Sequence, residues 1–207
     1  MMVRARGPVW HKKQKREGIV PQGLRGLDKE ATWGKSGYDG WVYGHGSFCI
    51  TSYDIPIVGV FRWMPNSGDE AKLMEVEVGK LEGVVNKVFM DSRADDQKLY
   101  SRLKHQRGIQ LVTVPRKGMD KSESRKRMIE EMLTEENKSD YRKRATTVEP
   151  MQGVVKEIFE LDNCWMRGNV NNRWLFAAMG VSIQIAQWRA LNQNSSTWQI
   201  KSRVLGI

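Results

Sequence analysis

The sequence predicts a mixed α/β fold in which helices cover a sheet. Short runs rich in β-branched and aromatic residues alternate with segments of helical apolar spacing, in the order β, β, α, β, α, β. A length of 207 residues with 40% apolar residues suits one principal domain with a sizeable core. We therefore expect a single α/β domain at residues 41–207, behind a basic, extended lead-in at residues 1–40.

Local patterns give the first elements. Residues 1–40 mix glycine, proline and cations without helical or strand periodicity, and are interpreted as a lead-in for that reason. Trp41–Thr51 and Ile55–Trp63 are β-rich and flank a short Ser-Tyr-Asp turn, so they predict a hairpin. A turn at Pro65–Asp69 precedes a loose apolar stripe, which predicts a helix that ends near Leu81.

A strand, a helix and a second strand are predicted next. The apolar run before Asp91 predicts a strand that ends at this residue, where Asp is also a common turn residue. Asp95–His105 predicts a helix, and Asp95 is interpreted as its N-cap in preference to an acid that supports Asp91. Ile109–Val114 predicts a further strand, which Pro115 closes.

The last third of the chain is predicted to be helical. Residues 116–144 are charged and poor in large apolar side chains, so we expect a mobile, solvated helical segment. Its run Lys121–Arg127 is either a solvated helix face or a phosphate-binding surface. Pro150 disfavours helical backbone at Glu149, so the next helix should begin with Pro150 in its first turn and Glu149 near its N-cap. Asn171–Leu191 predicts a second, more apolar helix buried against the sheet.

Charge and composition indicate the class of partner. A formal charge of +10 and a pI near 9.7 predict attraction to polyanions, most often nucleic acid. The surplus lies in residues 1–35 and between Arg102 and Arg144, which favours a binding surface over a general effect on solubility. Cys49 and Cys164 lack the spacing of a zinc site or a disulfide framework, which indicates a reducing compartment.

Membrane association is not expected. The N-terminus has no signal-peptide pattern, and the apolar stretch Trp174–Trp188 is short and contains Gln184 and Gln187. The surroundings of the C-terminal tryptophans favour core packing over stacking on bases, whereas those near N-terminal cations are better candidates for stacking. The first group is Trp165, Trp174 and Trp188, and the second is Trp10 and Trp33.

Three motifs follow one another along the chain: Val88-Phe-Met-Asp-Ser-Arg-Ala-Asp95, Leu111-Val-Thr-Val-Pro-Arg-Lys117, and the stretch from Tyr141 to Lys156. In order and spacing they resemble the catalytic domain of DDE transposases of bacterial and archaeal insertion sequences, in the group marked by a Tyr, Arg, Glu, Lys signature. The resemblance implies a ribonuclease H-like mixed sheet with covering helices. It also implies that Asp91 and Glu149 are catalytic residues and ligands of two divalent ions, Mg²⁺ or Mn²⁺, which suit oxygen ligands.

The family has a first catalytic Asp on a strand shortly before a stretch similar to Met2–His11. Only Met1 precedes that stretch, so we expect a truncated copy that lacks the first strand and has an incomplete acidic triad. Asp28, Asp39 and Asp54 are candidates for a substitute, each in a loop-like context.

The side chains expected to hold DNA phosphates surround the later motifs: Arg116, Lys117, Tyr141, Arg142, Arg144 and Lys156. Four residues separate Arg144 from Glu149 where the family has three, so Arg144 departs from the pattern. The leading hypothesis is a transposase that binds transposon-end DNA, with a homodimer as one assembly, in the cytoplasm and nucleoid of a prokaryote. The alternatives are a non-catalytic DNA-binding protein of this fold and a nuclease acting on RNA or hybrids, because phosphate contacts do not distinguish these polymers.

Overall fold

Strands and helices follow one another along the computed structural model, which describes residues 1–37, 39–81, 83–118 and 122–206. None of the helices in these ranges combines the length and the apolarity that crossing a bilayer requires. A 3-10 turn, Ser92–Ala94, lies between the strand Lys87–Phe89 and the helix Gln97–Arg107. The elements in chain order are β1 Met2–Arg4, α1 Lys12–Arg16, β2 Thr32–Ser36, β3 Gly40–Thr51, β4 Val58–Pro65, α2 Glu70–Gly79, β5 Lys87–Phe89, α3 Gln97–Arg107, β6 Gln110–Val112, α4 Glu123–Met132, α5 Glu135–Ile158, α6 Asn169–Asn192 and α7 Ile200–Leu205.

Strand β3 is the centre of a four-stranded antiparallel sheet. Gly44 pairs with Arg4 of β1 and with Thr32 of β2, so these two strands lie on opposite edges of β3. Strand β4 pairs with the second half of β3, from His45 to Thr51. The predicted hairpin is therefore confirmed.

Gly44 allows β1 to approach β3. A Cβ at this position would lie 2.0 Å from the carbonyl oxygen of Val3 and 2.7 Å from the backbone nitrogen of Ala5. Both atoms belong to backbone that strand pairing holds in place. Any larger side chain would separate the two strands, so the sheet depends on glycine here.

Helix α6 packs against β4, as its apolar composition predicted. The rings of Phe61 and Phe176 stack with their centroids 6.2 Å apart. Gly180 brings the helix close to the strand, because a Cβ there would lie 2.9 Å from the Cβ of Phe61. The Gln187 side chain accepts a hydrogen bond from the backbone N–H of Val58 at 2.9 Å. The buried residues of the surrounding core are Val3, Val58, Phe61, Met151, Val155, Ile158, Leu161, Cys164, Leu175, Phe176, Met179, Ile183, Ala186 and Ile200.

The chain divides into two compact units. One unit comprises residues 1–68 and 148–207, and the other comprises residues 69–147. The antiparallel sheet, α6, α7 and the core just described belong to the first unit. The second unit contains α2, β5, α3, β6 and α4. The boundary falls within α5, between Thr147 and Val148.

The 69–147 unit contains a parallel pair of strands, β5 and β6, joined by α3. The side chain of Asp96 accepts a hydrogen bond from Leu99 N at 2.7 Å and so begins α3, which ends at Gly108 in the left-handed region, with φ +66°. The helix is present as predicted, but Asp95 is not its cap. Parallel and antiparallel pairing were expected in one mixed sheet, and both occur, in separate sheets.

Residues 1–40 differ from the predicted lead-in. Both β1 and β2 pair with β3, and Ala5, Trp10 and Ala31 are buried. These strands have three and five residues, which is too few for a periodic pattern, and their partner lies elsewhere in the sequence. The assignment of residues 41–207 to one functional domain stays a prediction.

Helix α5 continues through Pro150, so the predicted helix start at this residue is wrong. A proline inside a helix removes one backbone hydrogen bond and costs about 3 kcal/mol. Burial of Met151, Val155 and Ile158 offsets this cost, because it requires helical backbone directly after the proline. Glu149 is consequently an interior helical residue and not an N-cap.

The charged segment at residues 116–144 is helical as predicted, but it is not wholly solvated. Arg125, Met128 and Met132 of α4 are buried. The run Lys121–Arg127 is therefore not a simple solvated face, although Lys121 itself lies outside the described residues. Three- and four-residue spacing places the buried residues on one side of the helix.

The burial of the tryptophans is the reverse of what the sequence predicted. Trp10 is buried and its indole N–H donates to the Ile19 carbonyl at 2.9 Å. Trp33 is half-buried and donates to the Trp10 carbonyl at 2.9 Å, so neither is a good candidate for stacking on bases. An apolar sequence around a tryptophan does not reveal whether the side chain lies on the covered or the exposed face of a helix. The three tryptophans expected in the core are exposed: Trp165, Trp174 and Trp188.

Candidate functional site

Asp91 lies two residues after Phe89, the last residue of β5, in the 69–147 unit. The N–H of Met90 donates to the Val112 carbonyl at 3.1 Å, and the Thr113 hydroxyl donates to the Asp91 carbonyl at 2.6 Å. The backbone of Asp91 is thus held beside β6. The predicted strand is present but ends at Phe89, so Asp91 lies just beyond it. Ligand-binding side chains of α/β folds gather near the carboxyl ends of parallel strands, and the role of Asp91 as a ligand stays a prediction.

The carboxylate of Asp91 caps the 3-10 turn that follows. One oxygen accepts a hydrogen bond from the backbone N–H of Arg93 at 2.9 Å, and the residue is half-buried. This is the turn role that Asp commonly has at a strand end. A carboxylate offers two oxygens and about four lone-pair sites, so capping is compatible with a second role as a ligand.

Arg116 lies over the same turn. Its guanidinium donates to the carbonyl oxygens of Ser92 and Arg93, each at 2.6 Å, and its backbone N–H donates to the Asp95 carboxylate at 2.6 Å. The structural effect of Arg116 is therefore to fix the backbone that carries Asp91. Contact of this guanidinium with DNA phosphate stays a prediction.

A buried ion pair adjoins the turn. One guanidinium nitrogen of Arg125 lies 2.5 Å from both carboxylate oxygens of Asp95, and both residues are almost inaccessible to solvent. Because a buried charge without a partner is costly, each residue holds the other in place. Asp95 also binds the backbone of Arg116, so it links α4 and the segment after β6 to the Asp91 turn.

Sequence reasoning missed the partner of Asp95, although a signal was present. Arg125 occupies the same helical stripe as Met128 and Met132. An arginine on the apolar side of a helix indicates a buried acid opposite it, since such a charge is seldom buried alone.

Glu149 lies on the exposed side of α5, in the other unit. Lys156 follows it by two helical turns on the same helix and is half-buried. Asp91 and Glu149 belong to different units, so a metal ion shared by the two stays a prediction.

The remaining predicted DNA-binding residues lie in the 69–147 unit. The guanidinium of Arg144 lies 5.8 Å from the ring centroid of Tyr141 and donates to its hydroxyl at 3.4 Å. These two side chains therefore orient each other through a cation–π contact. Lys117 and Arg142 are exposed, as a phosphate contact requires.

A second buried network, in the unit of residues 1–68 and 148–207, surrounds Asp28. One oxygen lies 2.9 Å from His45 Nε2 and accepts from Gly168 N at 3.0 Å, and the other accepts from Glu30 N at 3.1 Å. The indole N–H of Trp63 donates to His45 Nδ1 at 3.1 Å, which places the imidazole hydrogen on Nε2, facing Asp28.

These contacts determine the charge state of Asp28. Burial raises the pKa of its carboxyl, but the hydrogen bonds from His45 and from the N–H groups of Gly168 and Glu30 outweigh burial and hold the pKa below its ordinary value. Since both oxygens are occupied and the side chain is inaccessible, Asp28 does not suit a catalytic metal. Asp39 and Asp54 are exposed, in a turn and a bend.

Metal ligands do not cluster within the described ranges: no group of three or more His, Cys, Asp or Glu could hold an ion. Cys49 and Cys164 are free thiols, and burial raises the pKa of each to about 12, so neither suits a thiolate site. Within these ranges, the carboxylate site expected from the sequence is therefore not complete.

Comparison with known proteins gives one match. Residues 100–186 match the family model of the transposase DDE domain. The matched segment runs from α3 into α6, includes Glu149 and leaves out Asp91, and covers less than half of the 207 residues. Searches of curated proteins and of solved structures found no match. This part of the chain is therefore similar to transposases, whose substrate is DNA and which use divalent metal ions.

Proposed function

We propose that the chain acts on transposon-end DNA as a DDE-type transposase, with Asp91 and Glu149 as its catalytic carboxylates and a ribonuclease H-like fold. The observation that carries the proposal is the match of residues 100–186 to the transposase DDE domain. The position of Asp91 after a parallel strand supports it, because such strand ends present ligands.

Contacts from neighbouring residues hold the Asp91 carboxylate in position. Arg116 fixes the turn after Asp91 by binding its carbonyls, and the Asp95–Arg125 pair holds the backbone of Arg116. Because these contacts already hold the Asp91 carboxylate in place, substrate binding does not have to order it. Mg²⁺ or Mn²⁺ would activate the attacking water or hydroxyl and offset charge on the leaving oxygen. Lys117, Arg142 and Lys156 would neutralise DNA phosphates.

The test is nicking of supercoiled plasmid in the presence of Mn²⁺. We expect Asp91→Asn and Glu149→Gln each to lower the nicking rate at least ~100-fold, because a neutral amide cannot replace a charged metal ligand. Two exposed acids provide matched controls: Glu157→Gln on the same helix as Glu149, and Asp162→Asn after it. Nicking that survives Asp91→Asn would refute the assignment.

Binding is measured separately, so that loss of activity is not confused with loss of DNA affinity. The dissociation constant for a short duplex should rise with salt, and Lys117→Ala or Arg142→Ala should lower the slope against log salt by about one unit each. Asp91→Asn should leave this affinity nearly unchanged.

One observation favours the alternative, a non-catalytic DNA-binding protein. Asp28, a candidate for the first catalytic acid of the family, is occupied by buried hydrogen bonds. A wild-type protein that binds DNA in a salt-sensitive way but shows no nicking with Mn²⁺ would establish this alternative.

A further inference from the structure

One face of α6 is apolar and exposed along nearly its whole length. The exposed residues recur at four- and three-residue spacing, so they form a single stripe on the side away from β4. Its large members are Val170 at 63% exposure, Trp174 at 74%, Val181 at 53%, Ile185 at 54% and Trp188 at 64%, with the exposed Ala177 and Ala178 between them. We call these seven residues the α6 stripe.

The α6 stripe is large for a surface that contacts only water. Typical side-chain areas give it roughly 700 Å² of exposed surface, beyond the few hundred Å² that an isolated monomer usually leaves in one apolar patch. Exposed apolar patches of this size mark surfaces that bind another protein, a membrane or an apolar ligand.

The lack of charged residues in the α6 stripe argues against DNA as its binding partner. The charged residues of α6 are Arg173 and Arg189, which border the stripe, four residues before Ala177 and four after Ile185, and are not among its members. The Arg173 guanidinium lies 4.7 Å from the Trp63 ring centroid, so it is engaged elsewhere. DNA binding depends on cations that neutralise phosphates, and the stripe offers none.

The pattern of the stripe is self-complementary. Trp174 lies four residues before Ala178, and Ile185 lies four residues after Val181. In an antiparallel pair of α6 helices centred between Ala178 and Val181, the small Ala178 faces Val181 of the other copy, and Trp174 faces Ile185. The small Ala178 at the centre lets the helices approach, and the larger residues interlock on either side.

We propose that the α6 stripe is a self-association surface, through which two copies of this chain form an antiparallel, two-fold symmetric dimer. Burial of both stripes would cover up to about 1,400 Å², within the range of specific protein interfaces. The proposal goes beyond the proposed function, since association through the stripe needs neither DNA nor metal.

The test is the solution mass of the full chain without DNA, measured by sedimentation between about 1 and 100 μM, a range chosen to span typical weak to moderate dimers. We expect a dimer whose dissociation constant Val181→Glu or Ile185→Glu raises at least ~100-fold, because each buries an unpaired charge. Val76→Glu is the control, since Val76 is 50% exposed on another helix, α2. Secondary structure, measured by circular dichroism, should be the same in all variants.

The salt response separates this dimer from contacts through nucleic acid. Each chain carries a charge of +10, so added salt should strengthen association of the two copies, while it weakens DNA binding. A monomer at every concentration, an open series of larger species, or a dimer that Val181→Glu leaves intact would each overturn the proposal.

Cross-linking tests the antiparallel register. Oxidation of a mixture of Ala178→Cys and Val181→Cys proteins should give a disulfide-linked dimer faster than either variant alone, because the two positions face each other. The native thiols will not compete, since burial raises the pKa of Cys49 and of Cys164 to about 12. Faster linking of either variant with itself would contradict the antiparallel arrangement.

Discussion

Asp95 is held on two sides, by the guanidinium of Arg125 and by the backbone N–H of Arg116. The Arg116 guanidinium in turn binds the carbonyls that follow Asp91. A change at Arg125 should therefore reach Asp91 through two residues. Buried ion pairs seldom add net stability over apolar packing, but loss of one partner is costly because it leaves a buried charge alone.

Arg125→Met tests this chain of contacts. Met keeps much of the apolar stem and removes the charge, so we expect the 69–147 unit to lose about 3–5 kcal/mol of unfolding free energy. All eight tryptophans lie outside residues 69–147, so amide hydrogen exchange of peptides from this unit is the measurement of choice. Arg127→Met, at an exposed position on the same helix, should change the free energy by less than about 0.5 kcal/mol.

Asp28 should make stability depend on pH. Its pKa in the folded protein is lowered relative to the unfolded chain, so its contribution is fully present above the unfolded value of about 3.9 and is lost as pH falls towards the folded value. The difference in unfolding free energy between wild type and Asp28→Asn should therefore shrink between about pH 5 and pH 3. Tryptophan fluorescence in urea follows this difference. Asp162→Asn should keep the wild-type pH dependence, and a constant difference for Asp28→Asn would contradict the prediction.

At the scale of elements, the packing of α6 on β4 depends on the absence of a side chain at Gly180. A Cβ would lie 2.9 Å from the Cβ of Phe61 and 3.3 Å from its carbonyl oxygen. Since Phe61 also stacks on Phe176, it has little room to shift.

Two helical glycines give opposite predictions for the same substitution. Gly180→Ala should lower the unfolding free energy by about 1–2 kcal/mol, because overpacking exceeds the gain in helix propensity. Gly153→Ala should raise it by up to about 1 kcal/mol, because Gly153 lies within α5 with no atom within 4 Å of the added Cβ. The unfolding free energy of both variants is measured by urea unfolding, followed by tryptophan fluorescence. A stabilising Gly180→Ala would show that α6 can move away from β4.

At the scale of the whole molecule, the sequence predicted the elements whose boundaries are marked by local sequence patterns. The hairpin β3–β4, the helix after Asp69, the strand before Asp91 and the apolar helix α6 are all present. Each has a turn, a cap or a periodic stripe within a few residues of its ends. The position of Asp91 just beyond a strand belongs to this group, because the apolar run before it is contiguous.

Features that depend on distant partners were not predictable in this way. Strands β1 and β2 are defined by pairing with β3, and Arg125 is buried because Asp95, thirty residues earlier, accepts its charge. Helix α5 passes through Pro150 because tertiary burial outweighs a local rule. The exposure of Trp174 likewise follows from which side of α6 meets β4.

The division of the chain also has a consequence for its synthesis. Every residue of the 69–147 unit leaves the ribosome before Val148, so this unit can fold while the other still lacks α6 and α7. At about 10 residues per second, several seconds pass before the final sixty residues emerge. During this interval β4 and Phe61 have no helix to cover them, and the nascent chain exposes apolar surface. Chaperones that bind such surface would act on this protein mainly in that window.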